Sequence, residues 1–204
     1  MKTYDQWGNQ RKIQDLRFRV FLTSLQNNDF DKIIEETISL SQNKIQILSE
    51  KIIDVNKDFS IMIDSLMIEM QLQALAEMKI VYAYKCFENS LNHLLESMVH
   101  DFKKFHRWEN LKKFLTKKNI EIAEIDSFKN VDQLRCVNNA IKHSNILKLP
   151  DIIDYPEFRD TDLVNYLQTL AFYERVKDSP FEFLRSLRKL VLENVADDEF
   201  KRLY

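Results

Sequence analysis

Glycine is almost absent from this chain of 204 residues, which contains only Gly8. Loops that cradle phosphates need several glycines, because backbone N–H groups must approach the phosphate closely. Walker-type loops and dinucleotide-binding turns are therefore excluded. Most β-rich folds are excluded as well, since their tight hairpin turns depend on glycine.

Proline and cysteine are also scarce. All three prolines follow residue 149, which leaves a long stretch of chain with few helix breakers. The two cysteines, Cys86 and Cys136, form no CxxC pair, so we interpret them as reduced thiols of a cytoplasmic protein. The first residues lack the apolar segment of a signal peptide, and no run of 18 apolar residues predicts a membrane span.

The composition is that of an ordinary globular protein. Hydrophobic residues make up 45% of the chain, which is enough for a proper core, and the length predicts a single domain over residues 1–204. The formal net charge is -2. Because the chain as a whole is not basic, any site for an anion must be local.

Apolar residues recur at helical spacing along most of the chain, as Leu66, Met70, Ala74 and Met78 do in its longest helical stretch. The sequence therefore predicts an all-α, single-domain helical bundle with a long central helical hairpin. Ser60 is the expected cap of the longest helix, and Ser179-Pro180-Phe181-Glu182 matches a capping box. The predicted helices cover residues 9–26, 30–56, 60–103, 107–118, 127–144, 161–178 and 179–204.

Metal chemistry has little support in the sequence. Di-iron bundles use Glu-x-x-His, and none of the four histidines has Glu three residues before it. His93, Glu96 and His100 share a helix face, which a solvated or half-buried face explains more simply. His100-Asp101 is an HD pair, but HD-type phosphohydrolases also need a His well upstream, and residues 1–92 contain none. We therefore predict no metal and no cofactor.

The segment FKKFHRWENLKKFLTKK, residues 102–118, is called the basic segment below. It has seven Lys or Arg against one acid, with aromatic residues between them. Cations bind phosphates and aromatic rings stack on bases, so this composition suits single-stranded nucleic acid. The alternative is an amphipathic helix with buried aromatic residues and solvated lysines. The candidate RNA-binding residues are Lys103, Lys104, Arg107, Trp108, Lys112 and Lys113.

A polar cluster occurs in LRCVNNAIKHS, residues 134–144. Residues four apart lie on nearly the same side of a helix, so Arg135, Asn139 and His143 form one ridge, with Asn138 and Lys142 beside it. Cations and amides can hold a phosphate, and an imidazole can move a proton near neutral pH. The cluster therefore suits metal-independent RNA cleavage. The alternative is a helix end at which cations complement the dipole.

The NNAIKHS pattern late in a helical chain resembles the HEPN superfamily, and YKCFENSLNHLLESM, residues 84–98, looks like the helix that precedes the motif there. The resemblance covers roughly residues 65–195 and leaves the N-terminal helices, residues 1–60, outside it. His143 matches the family's His. Arg135 stands with seven residues between it and His143, whereas active members have four to six.

The resemblance implies a small helical bundle, usually dimeric, of the kind found in toxin–antitoxin, abortive-infection and CRISPR-associated proteins. It implies that Arg135, Asn138, Asn139, Lys142 and His143 form the site. Hydrogen bonds from Glu88 and Asn92 would support them. Two hypotheses follow: an RNA-directed protein of a defence or toxin–antitoxin kind, with possible ribonuclease activity, or a non-catalytic module that binds a cognate partner protein.

Overall fold

A computed structural model gives the fold of the chain. Among the residues that it describes there are six α-helices and no β-strand, which confirms the predicted all-α class. The helix predicted over residues 9–26 lies outside the described residues, apart from Leu16. The described residues are Leu16 and the ranges 29–51, 59–99, 102–104, 107–143, 152, 154–159 and 164–203.

The helices follow the periodic segments of the sequence. Two single turns of 3₁₀-helix, Ile122–Glu124 and Pro156–Phe158, lie between them. The helices are α1 (Asp29–Lys51), α2 (Phe59–Met98), α3 (Trp108–Thr116), α4 (Phe128–His143), α5 (Tyr166–Val176) and α6 (Ser179–Leu203).

Both predicted ends of the longest helix need correction. Helix α2 already includes Phe59, so Ser60 lies inside the first turn and does not cap it. The helix ends at Met98 rather than near residue 103. The chain turns there because buried Val99 accepts a hydrogen bond from the Phe102 backbone, and Phe102 packs against the apolar core.

The predicted capping box at Ser179 is also wrong. Helix α6 begins at Ser179 itself, and the Asp178 carbonyl accepts the hydrogen bond from the Glu182 backbone N–H. The two expected capping side chains are engaged elsewhere. Ser179 Oγ accepts a bond of 3.0 Å from Asn130 Nδ2, and the Glu182 carboxylate accepts one from Ser127 Oγ.

The chain divides into two compact units. The described residues of the first unit are Leu16, 84–99, 102–104, 107–132 and 178–203. Its core is a leucine-rich cluster with an aromatic centre, in which Phe87 and Phe183 meet edge to face with ring centroids 5.6 Å apart. The second half of α2 supplies Leu91, Leu94 and Leu95 to this cluster.

The second unit comprises the described residues of 28–83 and 133–177. Helix α1 packs against the first half of α2 through Ile34 and Ile38, which join Ile68 and Leu72 in one cluster. Helix α5 begins with a capping box that the sequence analysis missed. Asn165 Oδ1 accepts from the Gln168 backbone N–H, and Gln168 Oε1 accepts from the Asn165 backbone N–H.

Candidate functional site

The polar cluster lies in the last turns of α4. Asn139, Lys142 and His143 are exposed, and Arg135 is partly exposed on the same side. The opposite side of the helix holds Leu134 and Val137, which are fully buried. The helix therefore presents a guanidinium, an amide, an ammonium and an imidazole on one solvent-facing surface, as the sequence predicts.

Asn138 does not belong to that surface. Its side chain is only 1% exposed, whereas the sequence analysis placed it on the polar ridge beside Lys142. The physical reason is its angular position, since Asn138 lies only about 40° around the helix from buried Leu134. Asn138 Nδ2 donates to Asn139 Oδ1 at 3.4 Å, and its Oδ1 has no hydrogen-bond partner among the described residues.

Arg135 and the end of the helix shape what this surface can bind. Arg135 Nη2 lies 3.4 Å from the Cys136 sulfur, and Cys136 is a free thiol. Lys142 and His143 occupy the last turn, where cationic side chains complement the negative end of the helix dipole. An anion bound there would be attracted by the side chains and not by the backbone.

Glu88 and Asn92 lie on the half of α2 that belongs to the first unit. Lys85 Nζ donates to Glu88 Oε2 at 2.9 Å, and Asn92 Nδ2 donates to the Glu88 carbonyl at 2.9 Å. Both contacts are within the helix. Their support of the α4 cluster stays a prediction.

The structure brings Glu88 and Asn92 together with Arg107 and Trp108, two of the residues that the sequence assigned to RNA binding. The four line a small pocket of about 50 Å³ with aromatic and leucine side chains behind them. The buried Trp108 indole N–H has no hydrogen-bond partner among the described residues. A pocket of this size admits a water molecule.

The described part of the basic segment has its cations in solvent and its aromatic rings packed inward. Lys103, Lys104, Arg107 and Lys113 are exposed. Lys112 is partly buried, and its ammonium lies 3.2 Å from the Glu109 carboxylate.

The described aromatic rings of the basic segment, Phe102, Trp108 and Phe114, contact other rings of the first unit. Trp108 stacks on Phe128 with ring centroids 6.5 Å apart and planes 6° from parallel. Phe102 meets Phe114 edge to face at 5.5 Å. These contacts are those of an amphipathic helix, so the segment offers cations to a nucleic acid, and its rings are already engaged with one another.

The second unit contains a buried charge that was not among the predicted site residues. Lys79 is 3% exposed, and its ammonium lies 3.1 Å from Asp31 and 2.9 Å from Glu35, both on α1. The same ammonium is 4.4 Å from the centre of the Tyr173 ring. Burial, together with the nearby Asp31 carboxylate, raises the pKa of Tyr173 above its ordinary range. The sequence did contain an indication of this buried charge, because Lys79 stands on the helix face that otherwise holds Leu72, Ala76 and Ile80.

A second ion pair in this unit joins Arg175 to Glu157. The guanidinium donates two bonds to the carboxylate, 2.6 Å from Nε to Oε1 and 2.9 Å from Nη2 to Oε2. Burial acts to raise the pKa of Glu157, but the hydrogen bond and charge of Arg175 outweigh it, and that pKa is lowered.

Neither a metal cluster nor a membrane span is found in the described part of the chain. Its His, Cys, Asp and Glu side chains form no group of three or more that could hold a metal ion. His100, which one metal hypothesis required, lies outside the described residues. No described helix has both the length and the apolar character to cross a bilayer.

Comparison with known proteins gave no match. No protein-family model matches the sequence, and no curated protein and no solved structure is similar enough to match it.

Proposed function

We propose that this chain is a HEPN-like, RNA-directed protein of a defence or toxin–antitoxin kind that cleaves RNA without a metal. The observation that carries the proposal is the surface of α4, on which Arg135, Asn139, Lys142 and His143 face solvent together at the end of one helix. Those groups can bind a phosphate and move a proton.

The proposed reaction is an attack within the RNA strand. The His143 imidazole takes the proton of a 2′-hydroxyl, and the freed oxygen forms a bond to the adjacent phosphorus. The bond from phosphorus to the 5′-oxygen of the next nucleotide breaks, and that oxygen takes a proton from an imidazolium. Lys142 and Arg135 stabilise the charge on the phosphoryl oxygens, and Asn139 orients them. Asn138 has a packing role in this proposal because it is buried.

One imidazole does not easily serve as both base and acid in the same turnover. The proposal therefore includes a homodimer in which His143 of a second copy protonates the leaving oxygen. The exposed cations of the basic segment would hold the flanking RNA by its phosphates. Cytoplasmic RNA is the expected substrate, in keeping with Cys86 and Cys136, neither of which forms a disulfide.

The test is RNA cleavage in EDTA by wild type, His143→Ala and His93→Ala. His93 is a matched control because it is also an exposed histidine on a helix. We expect wild type and His93→Ala to cut RNA to 2′,3′-cyclic phosphate ends, and His143→Ala to lose at least about 100-fold in rate. Cleavage that survives in His143→Ala, or no cleavage by wild type over a range of RNAs, would contradict the proposal.

A non-catalytic interaction module is the second candidate. The observation that favours it is the large number of exposed apolar side chains on the first half of α2. Expression without a partner separates the two candidates. A ribonuclease should slow the growth of its host in a His143-dependent way, whereas an interaction module should have no such effect.

A further inference from the structure

The first half of α2 carries a row of exposed apolar side chains. It consists of Phe59, Ile63, Leu66, Met67, Met70 and Met78, which are 44–70% exposed and are called the apolar face below. At 100° per residue these side chains fall within an arc of about 120°, and they extend along about 30 Å of helix. Exposed apolar surfaces of this extent on a folded protein are typical of sites that bind a partner.

The apolar face is not needed to form the core of the second unit. The opposite side of the same helix holds Ile68, Leu72, Ala76 and Ile80, all 5% exposed or less, and these residues make the contacts with the rest of the unit. The helix is thus apolar on two sides, although one apolar side would be enough for folding. Helix α1 adds exposed apolar residues with a seven-residue spacing, at Ile33, Leu40 and Ile47.

The exposed charges on the stretch of α2 that carries the apolar face are negative. Residues 59–83 contain three acidic residues and one basic residue, Lys79. Asp64 and Glu69 are exposed, whereas Lys79 is buried and held by two carboxylates of α1. Along this stretch, therefore, the solvent-facing charges beside the apolar side chains are carboxylates.

We propose that the apolar face binds an amphipathic helix of a partner protein, one whose apolar stripe is flanked by Lys or Arg. Apolar side chains of the partner would pack against the methionines, whose flexible side chains adapt to different shapes. Its cations would lie beside Asp64 and Glu69. A second copy of this chain fits less well, because pairing two such faces would bring carboxylates together. This inference is independent of His143 and holds whether or not the protein cleaves RNA.

The probe is a pair of synthetic helical peptides, measured with the full-length protein. Both peptides carry Leu and Met at alternating three- and four-residue spacing. One has Lys at the flanking positions and the other has Glu. Fluorescence anisotropy should show that the Lys peptide binds at least about tenfold more tightly than the Glu peptide, and that the difference shrinks as salt is added.

Two leucines give a matched pair of variants. Leu66 on the apolar face is 57% exposed, and Leu167 on α5 is 56% exposed, so the two Leu→Asp changes carry a similar direct cost to folding. Leu66→Asp should weaken binding of the Lys peptide at least tenfold, and Leu167→Asp should leave it within twofold of wild type. Circular dichroism of each variant confirms that the helices remain folded.

Charge reversal tests the electrostatic part. Asp64→Lys combined with Glu69→Lys should make the Glu peptide the tighter ligand. Equal binding of the two peptides by wild type would overturn the proposal, as would equal losses in the two Leu→Asp variants. If sedimentation equilibrium finds a dimer of this chain that Leu66→Asp dissociates, the apolar face binds a second copy and the proposal is also overturned.

Discussion

The basic segment and the apolar face are two amphipathic surfaces with opposite arrangements of apolar and charged side chains. In the described basic segment, Leu111 and Leu115 are buried, the aromatic rings pack on one another, and the solvent side is positively charged. On the apolar face, the apolar side chains are in solvent and the nearby exposed charges are negative. The helix of the basic segment is strongly one-sided in hydrophobicity, whereas α2 is more hydrophobic on average and less one-sided. The pattern of α2 therefore does not reveal which of its apolar sides is buried.

The difference indicates how each surface can bind a partner. A surface of cations that covers a packed apolar core attracts phosphates. It gains little from apolar contact with a partner, because its apolar groups are already buried. A surface of exposed methionine, leucine and phenylalanine gains free energy when a partner covers it, and its carboxylates select the charge of that partner. The chain as a whole has a net charge of only -2, a value that reveals neither the positive surface nor the negative one.

The largest effect is expected from truncating a buried phenylalanine, and an exposed phenylalanine serves as the control. Phe183 is fully buried in the first unit, and Phe59 on the apolar face is 70% exposed. Phe183→Ala should lower the free energy of unfolding by about 4 kcal/mol because it leaves a cavity. Phe59→Ala should change it by less than about 0.5 kcal/mol. Urea unfolding followed by circular dichroism measures both, and a large loss in Phe59→Ala would show that the apolar face contributes to the core.

Removing the buried ammonium of the second unit should have the next largest effect. Lys79→Met leaves Asp31 and Glu35 close together without their cation, so we expect the free energy of unfolding to fall by about 3 kcal/mol. Lys85→Met is the control, because Lys85 pairs with Glu88 at an exposed position and should contribute less than about 1 kcal/mol. Similar effects of the two changes in urea unfolding would contradict the assignment of Lys79 as a buried structural charge.

A smaller effect concerns acid stability. Arg175 lowers the pKa of Glu157 in the folded state. At a pH just below 4.5, the ordinary pKa of a glutamate, the unfolded state therefore binds more protons than the folded state does. The pair therefore stabilises the fold above that pH, and the stabilisation disappears as the pH falls through the folded-state pKa.

Glu157→Gln should remove this pH dependence and cost about 1 kcal/mol at neutral pH. Unfolding by urea at a series of pH values between neutral and acid measures it. Glu174→Gln is the control, since Glu174 pairs with Lys177 near the surface. If Glu157→Gln keeps the full acid sensitivity of wild type, Glu157 is not the group responsible.

The smallest expected effect is on RNA binding, when each of two adjacent lysines of the basic segment is replaced. Lys113 is exposed, whereas Lys112 is held by Glu109 and lies 5.8 Å from the centre of the Phe128 ring. Lys113→Gln should weaken binding of single-stranded RNA about threefold and reduce the salt slope by about 0.7, the value for one lost phosphate contact. Lys112→Gln should have a smaller effect in the same titration. The reverse order would mean that RNA displaces Glu109.

The two capping boxes show where prediction from sequence stops. Asn165-x-x-Gln168 and Ser179-x-x-Glu182 match the same pattern, but only the first one caps its helix. The side chains of Ser179 and Glu182 instead bind Asn130 and Ser127, which lie about 50 residues earlier in the chain. A local pattern cannot reveal that a distant residue competes for the same atoms.

Asn138 makes the same point within the candidate site. Helical spacing put Asn139, Lys142 and His143 on neighbouring ridges of one helix, and all three are exposed in the structure, whereas Leu134 and Val137 on the opposite side are buried. It could not place Asn138, which lies at the boundary between the two sides of α4. A residue at that boundary becomes buried or exposed according to how widely the neighbouring elements cover the helix.

The sequence by itself determined the all-α class and the approximate course of the described helices, because the scarcity of glycine and proline and the apolar spacing act locally. Only the tertiary structure decided which of the two apolar sides of α2 is buried, where Lys79 finds its carboxylates, and that Glu88, Asn92, Arg107 and Trp108 line one pocket. These outcomes depend on which helix packs against which side. That choice is made by contacts between residues far apart in the chain, and the period of a single helix carries no information about them.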